Sequence, residues 1–144
     1  MSLTRVRFTE QTSARIIGTI QDRDGSVVPG NSLTDARLTL YDVDTYNPNI
    51  SPSTGILNHR DDQDILGAGS PAVENGVSIY RDPQTDSDGS TYNFEWLLDP
   101  ADNAIVTERR QIERHRAQFH FVWPTGDMNF EVEIEVVNLR SVTL

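Results

Sequence analysis

The chain has 144 residues, 12 Lys+Arg against 22 Asp+Glu, a formal charge of −10 at pH 7 and no cysteine. The absent thiols exclude a disulfide framework, a cysteine-ligated zinc or iron–sulfur centre and a thiol nucleophile, and the acidic balance works against binding nucleic acid phosphate or anionic lipid. A single domain spanning 1–144 is expected, since a chain of this length can bury its own core without staples. Every cation is an arginine, because the sequence contains no lysine. No apolar run approaches the roughly 18 residues needed to cross a bilayer. The start Met1-Ser2-Leu3-Thr4-Arg5 has no hydrophobic h-region, so a soluble, uncleaved chain is expected.

Period-two alternation marks strands, because successive side chains of a strand point to opposite faces. In chain order the predicted strands are 5–8, 14–21, 36–42 and 92–98, with weaker candidates at 56–57 and 77–80. In 36–41 the even positions are apolar, and Tyr92, Phe94 and Trp96 share a side. Asp99 is placed to cap a helical turn that starts at Pro100. Good helix formers over 107–114 extend that turn into a short helical connection between strands. Two stronger strands follow, 115–123 and 128–136. The first places Ala117, Phe119, Phe121 and Trp123 on one side; the second places Met128, Phe130, Val132, Ile134 and Val136 opposite Glu131, Glu133 and Glu135.

With Pro124-Thr125-Gly126-Asp127 as the whole hairpin loop, Trp123 faces Met128, Phe121 faces Phe130, Phe119 faces Val132 and Ala117 faces Ile134. On the outer side, the same register sets His120 against Glu131 and Arg116 against Glu135. Long polar connections over 43–54, 58–74 and 81–90 separate the strands; connections this long are usually functional or held by a neighbour. The expected fold is all-β: one antiparallel, Ig-like sandwich with long polar loops and one short helical connection.

Chemistry-bearing patterns are sparse. Asp22-Arg23-Asp24-Gly25 and Asp86-Ser87-Asp88-Gly89 begin as calcium loops do, but neither continues to a glutamate at the twelfth loop position. Closing a tight turn is the stronger reading of both. Asp61, Asp62 and Asp64, with His59 beside them, have the residue types of a cation site without its spacing, and read as a solvated loop. His115 and His120 sit at an odd separation on one strand, so they point to opposite faces and cannot share an ion. There is no Gly-x-Ser-x-Gly, His-Glu-x-x-His or phosphate-binding glycine loop. No catalytic residue, metal ligand or cofactor is therefore assigned, and the chain reads as a non-enzyme. The sequon Asn49-Ile50-Ser51 runs into Pro52 and reads as chance.

The cation cluster Arg109, Arg110, Arg114 and Arg116 is interleaved with Glu108 and Glu113, and forms no basic stripe for nucleic acid. Trp96, Trp123, Phe94, Phe119, Phe121 and Phe130 suit a sandwich core better than a sugar-stacking platform. Tyr41, Tyr46 and Tyr80 are the aromatics better placed to touch a partner.

The stretch Ile16-Ile17-Gly18-Thr19-Ile20-Gln21-Asp22-Arg23-Asp24-Gly25-Ser26-Val27-Val28-Pro29, followed by Ser32-Leu33-Thr34-Asp35-Ala36-Arg37-Leu38-Thr39-Leu40-Tyr41-Asp42, resembles the opening of Ig-like sandwich domains in structural proteins of tailed bacteriophages. Asn58-His59-Arg60-Asp61-Asp62-Gln63-Asp64-Ile65-Leu66, then Trp96-Leu97-Leu98-Asp99-Pro100-Ala101-Asp102-Asn103, then His115-Arg116-Ala117-Gln118-Phe119-His120-Phe121-Val122-Trp123, are similar to a small phage virion protein of the kind encoded among head and tail genes. The resemblance implies a virion protein, either a capsid decoration or cement protein or an adaptor at the neck or tail. It further implies other virion structural proteins as partners; the long loops and edge strands add the expectation of a homo-oligomer in the particle, and the acidic composition that of no nucleic acid or membrane partner. It transfers no contact residues. The rival reading is a carbohydrate- or cell-surface-binding sandwich module, calcium-assisted through Asp22 and Asp24 or Asp86 and Asp88.

Overall fold

A computed structural model of the chain describes residues 3–106 and 110–138. The strands in chain order are β1 (Leu3–Thr9), β2 (Ala14–Gly18), β3 (Asp35–Asp42), β4 (Gln63–Asp64), β5 (Ala72–Glu74), β6 (Val77–Thr85), β7 (Thr91–Leu98), β8 (Ile112–Trp123) and β9 (Gly126–Val137). They form two layers, a five-stranded sheet ordered β1-β9-β8-β3-β4 and a four-stranded sheet ordered β2-β7-β6-β5. The all-β sandwich expected from the alternation is present, and the helical structure among the described residues is limited to 3-10 turns at Gly30–Ser32 and Pro100–Asn103. No described helix is long and apolar enough to cross a membrane.

The layers meet over the faces that the alternation singled out. The larger sheet contributes Leu38, Leu40, Ala117, Phe119, Phe121, Val132, Ile134 and Val136, and the smaller contributes Ile16, Val77, Ile79, Phe94, Trp96 and Leu98. Phe94 is the hub, with its ring centroid 5.4, 5.0 and 5.3 Å from those of Phe119, Phe121 and Phe130. Each such aromatic pair adds about 0.5–1.5 kcal/mol beyond the area it buries. Trp96 meets Phe119 edge-on at 5.5 Å.

The larger sheet is mixed rather than wholly antiparallel, because β1 runs parallel to β9 from Leu3 opposite Glu131 to Thr9 opposite Val137. A parallel neighbour needs a long crossover. Here the rest of the sandwich lies between the first strand and the last, so the whole fold serves as that crossover. After Thr9 the chain steps to the smaller sheet, where β2 pairs antiparallel with β7.

The β8–β9 hairpin keeps the expected faces, but its register is corrected by two residues. Trp123 lies opposite Gly126, Phe121 opposite Met128, Phe119 opposite Phe130 and Ala117 opposite Val132. Pro124 and Thr125 alone form the turn, with Pro at the first turn position and Gly directly after it, where such turns favour them. Gly126 and Asp127 are therefore ladder residues. A shift of two leaves every side chain on its own face, which is why hydrophobic pattern could not detect it. Arg116 consequently faces Glu133, not Glu135, and His120 faces Asn129, not Glu131.

Other boundaries also move. The 107–114 helical extension is overturned where it can be followed, since Ile112, Glu113 and Arg114 open β8; Thr107, Glu108 and Arg109 lie outside the described residues. Helix-forming propensity gives way there to pairing with β9. The first half of the supposed loop 81–90 is strand, because β6 continues to Thr85 past a register irregularity that contains Pro83, a position at which sheets admit proline. The connection 58–74 contains the short edge strands β4 and β5.

Candidate functional site

The first candidate is the outer edge of β1. Val6 and Phe8 pack against the core, while Arg5 and Arg7 stand on the solvent face. The Glu10 N–H donates to the Val137 carbonyl at 2.9 Å. That bond sets the phase of the parallel ladder: even-numbered backbone groups turn to β9, and those of Arg5 and Arg7 turn away from the sheet. Among the described residues no strand pairs with this seven-residue edge, whereas the edge strands β4 and β5 have two and three residues and β2 has five. Charged side chains commonly guard an edge, but here they lean back over their own sheet. Arg5 Nε lies 3.3 Å from Glu133 Oε2, and Arg7 Nη2 lies 2.6 Å from Glu135 Oε2. Arg116 closes on Glu133 from the other side at 3.2 Å, so this glutamate is buried despite facing outward.

The two Asp-x-Asp-Gly quartets fold as a matched pair of turns. In one, Asp22 N–H donates to Ser26 C=O at 2.9 Å, Gly25 N–H to Asp22 C=O at 2.9 Å and Ser26 N–H to Asp24 Oδ1 at 3.0 Å. In the other, the equivalent bonds of Asp86, Gly89 and Ser90 measure 2.7, 3.0 and 2.9 Å. Gly25 and Gly89 take φ of +86° and +88°, left-handed values that a side chain would strain. The bonds from Ser26 and Ser90 hold the Asp24 and Asp88 carboxyls below the ordinary aspartate value. Neither turn gathers three carboxylate or imidazole ligands around one point among the described residues.

The same holds for Asp61, Asp62 and Asp64, which are exposed, as is His59. The residue of consequence in this loop is Arg60, buried and enclosed on several sides. Its Nε and Nη2 donate to Asp102 Oδ1 and Oδ2 at 2.6 and 3.2 Å, and its Nη1 donates to Gln63 Oε1 and the Asn75 carbonyl at 2.8 and 2.9 Å. The guanidinium lies over Trp96, 5.6 Å from the ring centroid. Asp102 belongs to the capped 3-10 turn, where Asp99 accepts from Ala101 and Asp102 N–H groups and Asp102 accepts from Asp99 N–H. Asn58, His59, Asp62 and Asn75 all adopt positive φ around this clamp, at 50°, 58°, 50° and 54°. Local backbone strain is thus concentrated where one arginine ties three connections together.

A second polar cluster sits inside one end of the larger sheet. The inward alternation of β8 does not stop at Ala117 but continues to His115 and Glu113, both fully buried. Asp42 lies directly opposite His115 in the β3–β8 ladder and is also fully buried. His115 Nε2 is 2.8 Å from Glu113 Oε1, and Glu113 also accepts from Val106 N–H at 2.9 Å. Arg110 Nη2 lies 3.2 Å from Asp42 Oδ2 and 3.7 Å from Glu113 Oε2, while its Nη1 reaches Asp44 at 2.6 Å. Burial pushes the His115 imidazole below its ordinary value, against the pull of Glu113. His120, on the opposite face as expected, pairs with Asp127 at 2.9 Å.

The arginine cluster carries no basic surface where it is described: Arg110 and Arg114 pair with Asp44, and Arg116 pairs with Glu133. The aromatic set lies in the core, with Trp96, Phe94, Phe119 and Phe121 fully enclosed and Trp123 5% exposed. Tyr41 is corrected from a surface residue to a buried one, because the loop after β3 folds back and stacks Tyr46 on it at 4.0 Å. Tyr46 and Tyr80 remain partly exposed. Sequence inspection passed over Arg60, Asp102, Asp42, Glu113 and Asn93. A signal existed for Glu113 and His115, since both continue the inward phase of 117–123. Comparison with protein-family models gives no match, and no curated protein shows significant similarity to the chain.

Proposed function

We propose that the chain is a non-enzymatic structural protein of a tailed-bacteriophage virion, joining capsid, neck or tail subunits through its polar loops and the outer edge of β1. The observation that carries the reading is that edge: seven residues long, with Arg5 and Arg7 drawn inward onto Glu133 and Glu135. Outward backbone groups at such an edge accept a strand from a neighbouring subunit at little rearrangement cost, and main-chain bonds supply affinity without a preformed pocket. The sandwich supplies a rigid support, and its stability resides in a closed aromatic core that assembly need not disturb. The resemblance of 16–29 and 32–42 to phage sandwich domains, and of 58–66, 96–103 and 115–123 to a small phage virion protein, is the support for the virion itself.

The test compares the wild-type chain with Arg7→Pro, which removes an outward N–H from the edge and the exposed ion pair to Glu135, but no backbone bond to β9. Mixed with isolated capsid, neck or tail components, the wild-type chain is expected to co-sediment with one of them, and the variant is expected to lose most of that binding while keeping its thermal midpoint within a few degrees. A chain that stays monomeric and binds none of those components overturns the proposal.

A further inference from the structure

We infer that Asp42, Glu113 and His115 form a binding site for a divalent transition-metal ion of the zinc type, buried between β3 and β8. One ligand atom from each of the three side chains falls within 4.8 Å of the others, and all three residues are fully buried. A second observation points the same way. Asp42 Oδ1 is enclosed with no hydrogen-bond partner among protein atoms, while the ring nitrogen that would share an ion with Glu113 is His115 Nε2, 2.8 Å from Glu113 Oε1. Buried polar atoms are rarely left so, and a bound ion is one of the few arrangements that accounts for them. A carboxylate oxygen and an imidazole nitrogen are also the atom types that coordinate a borderline cation.

The donor set selects the ion. One imidazole nitrogen and two carboxylate groups suit zinc and its neighbours, which take three protein ligands and complete a small coordination shell with water. Calcium needs six to eight oxygens and magnesium an octahedron of them, which this cluster does not offer. Arg110 is the gate. Its guanidinium, 27% exposed, already touches Asp44 at the rim and can keep that contact while Asp42 turns to the ion. The ion would cross-link β3 to β8 at the end of the sheet farthest from the hairpin turn. Its role there is to stabilise the fold, since three fully buried ligands leave no open approach for a substrate.

The test uses the full chain, stripped with chelator and titrated with zinc chloride alone. One zinc is expected per chain, and at a free concentration of about 100 times the dissociation constant the unfolding equilibrium shifts roughly 100-fold toward the folded state. Asp42→Asn and His115→Gln are each expected to weaken binding about tenfold or more, while His59→Asn and His120→Asn leave it unchanged. If either core variant fails to fold, the imidazole nitrogen resonances of the wild-type protein decide. Zinc is expected to shift those of His115. No saturable zinc binding, binding that survives in Asp42→Asn and His115→Gln, or a shift confined to His59 or His120 overturns the inference.

Discussion

The Arg60 guanidinium grips the Asp102 carboxylate with two hydrogen bonds, at 2.6 and 3.2 Å, inside a structure where the two side chains are 5% and 0% exposed. Taking one member from such a pair leaves the other charged and buried, which costs about 3–5 kcal/mol. Asp102→Ala is therefore expected to lower stability by about that amount in urea unfolding. Arg60→Met with Asp102→Leu removes both charges and is expected to cost clearly less than either single change. Equal losses for the single and double variants would show that packing, not charge, holds these loops.

Asn93 performs a comparable task with neutral groups. It accepts from Ile20 N–H and donates to Val28 C=O, both at 2.7 Å and both buried, so it closes the base of the Asp22–Ser26 turn. Asn93→Ala strands both backbone groups. A loss of about 1–3 kcal/mol is expected, read as a lower denaturant midpoint at unchanged slope. A change under about 0.5 kcal/mol, the usual range for surface substitutions, would contradict the assignment.

The observed hairpin register can be checked energetically. Phe119 and Phe130 lie opposite one another with centroids 6.1 Å apart. A double-mutant cycle between Phe119→Leu and Phe130→Leu is expected to show coupling of about 0.5–1.5 kcal/mol. The Phe121–Phe130 cycle, the pair favoured by a four-residue loop, is expected to show less. The reverse ranking would restore the longer loop.

Why the layers were legible and the register was not follows from what a period-two pattern encodes. Val132, Ile134 and Val136 against Glu131, Glu133 and Glu135 specify a face, and that face was found where expected. Pattern is blind to shifts of two, so the hairpin pairing depended on turn chemistry that Pro124 and Gly126 satisfy in more than one way. The buried polar residues were hidden for a different reason. Arg60 and Asp102 lie in polar connections whose composition resembles any solvated loop, and only tertiary structure brings them under Trp96. Glu113 continues the strand phase of His115 one step upstream, but the helix propensity of 107–114 masked it.

Titration offers a check on the paired turns. The folded Asp24 and Asp88 carboxyls sit below their unfolded value because Ser26 and Ser90 donate to the charged form. Their contribution is thus complete above the unfolded value of about 3.9 and is lost as pH falls through the lower folded value. Carbon-13 carboxyl shifts are expected to give midpoints for both residues below the ordinary range. Midpoints at or above it would mean that the turns do not hold these bonds in solution.

Amide-resolved hydrogen exchange tests the central claim most directly, because it reads the two sides of β1 separately. In the isolated chain the Arg5 and Arg7 amides, which face away from β9, are expected to exchange much faster than those of Val6 and Phe8. On binding to a capsid, neck or tail component the Arg5 and Arg7 amides are expected to slow and the other two to change little. Equal protection of all four in the isolated chain, or bound subunits whose Arg5 and Arg7 amides still exchange freely, would contradict it.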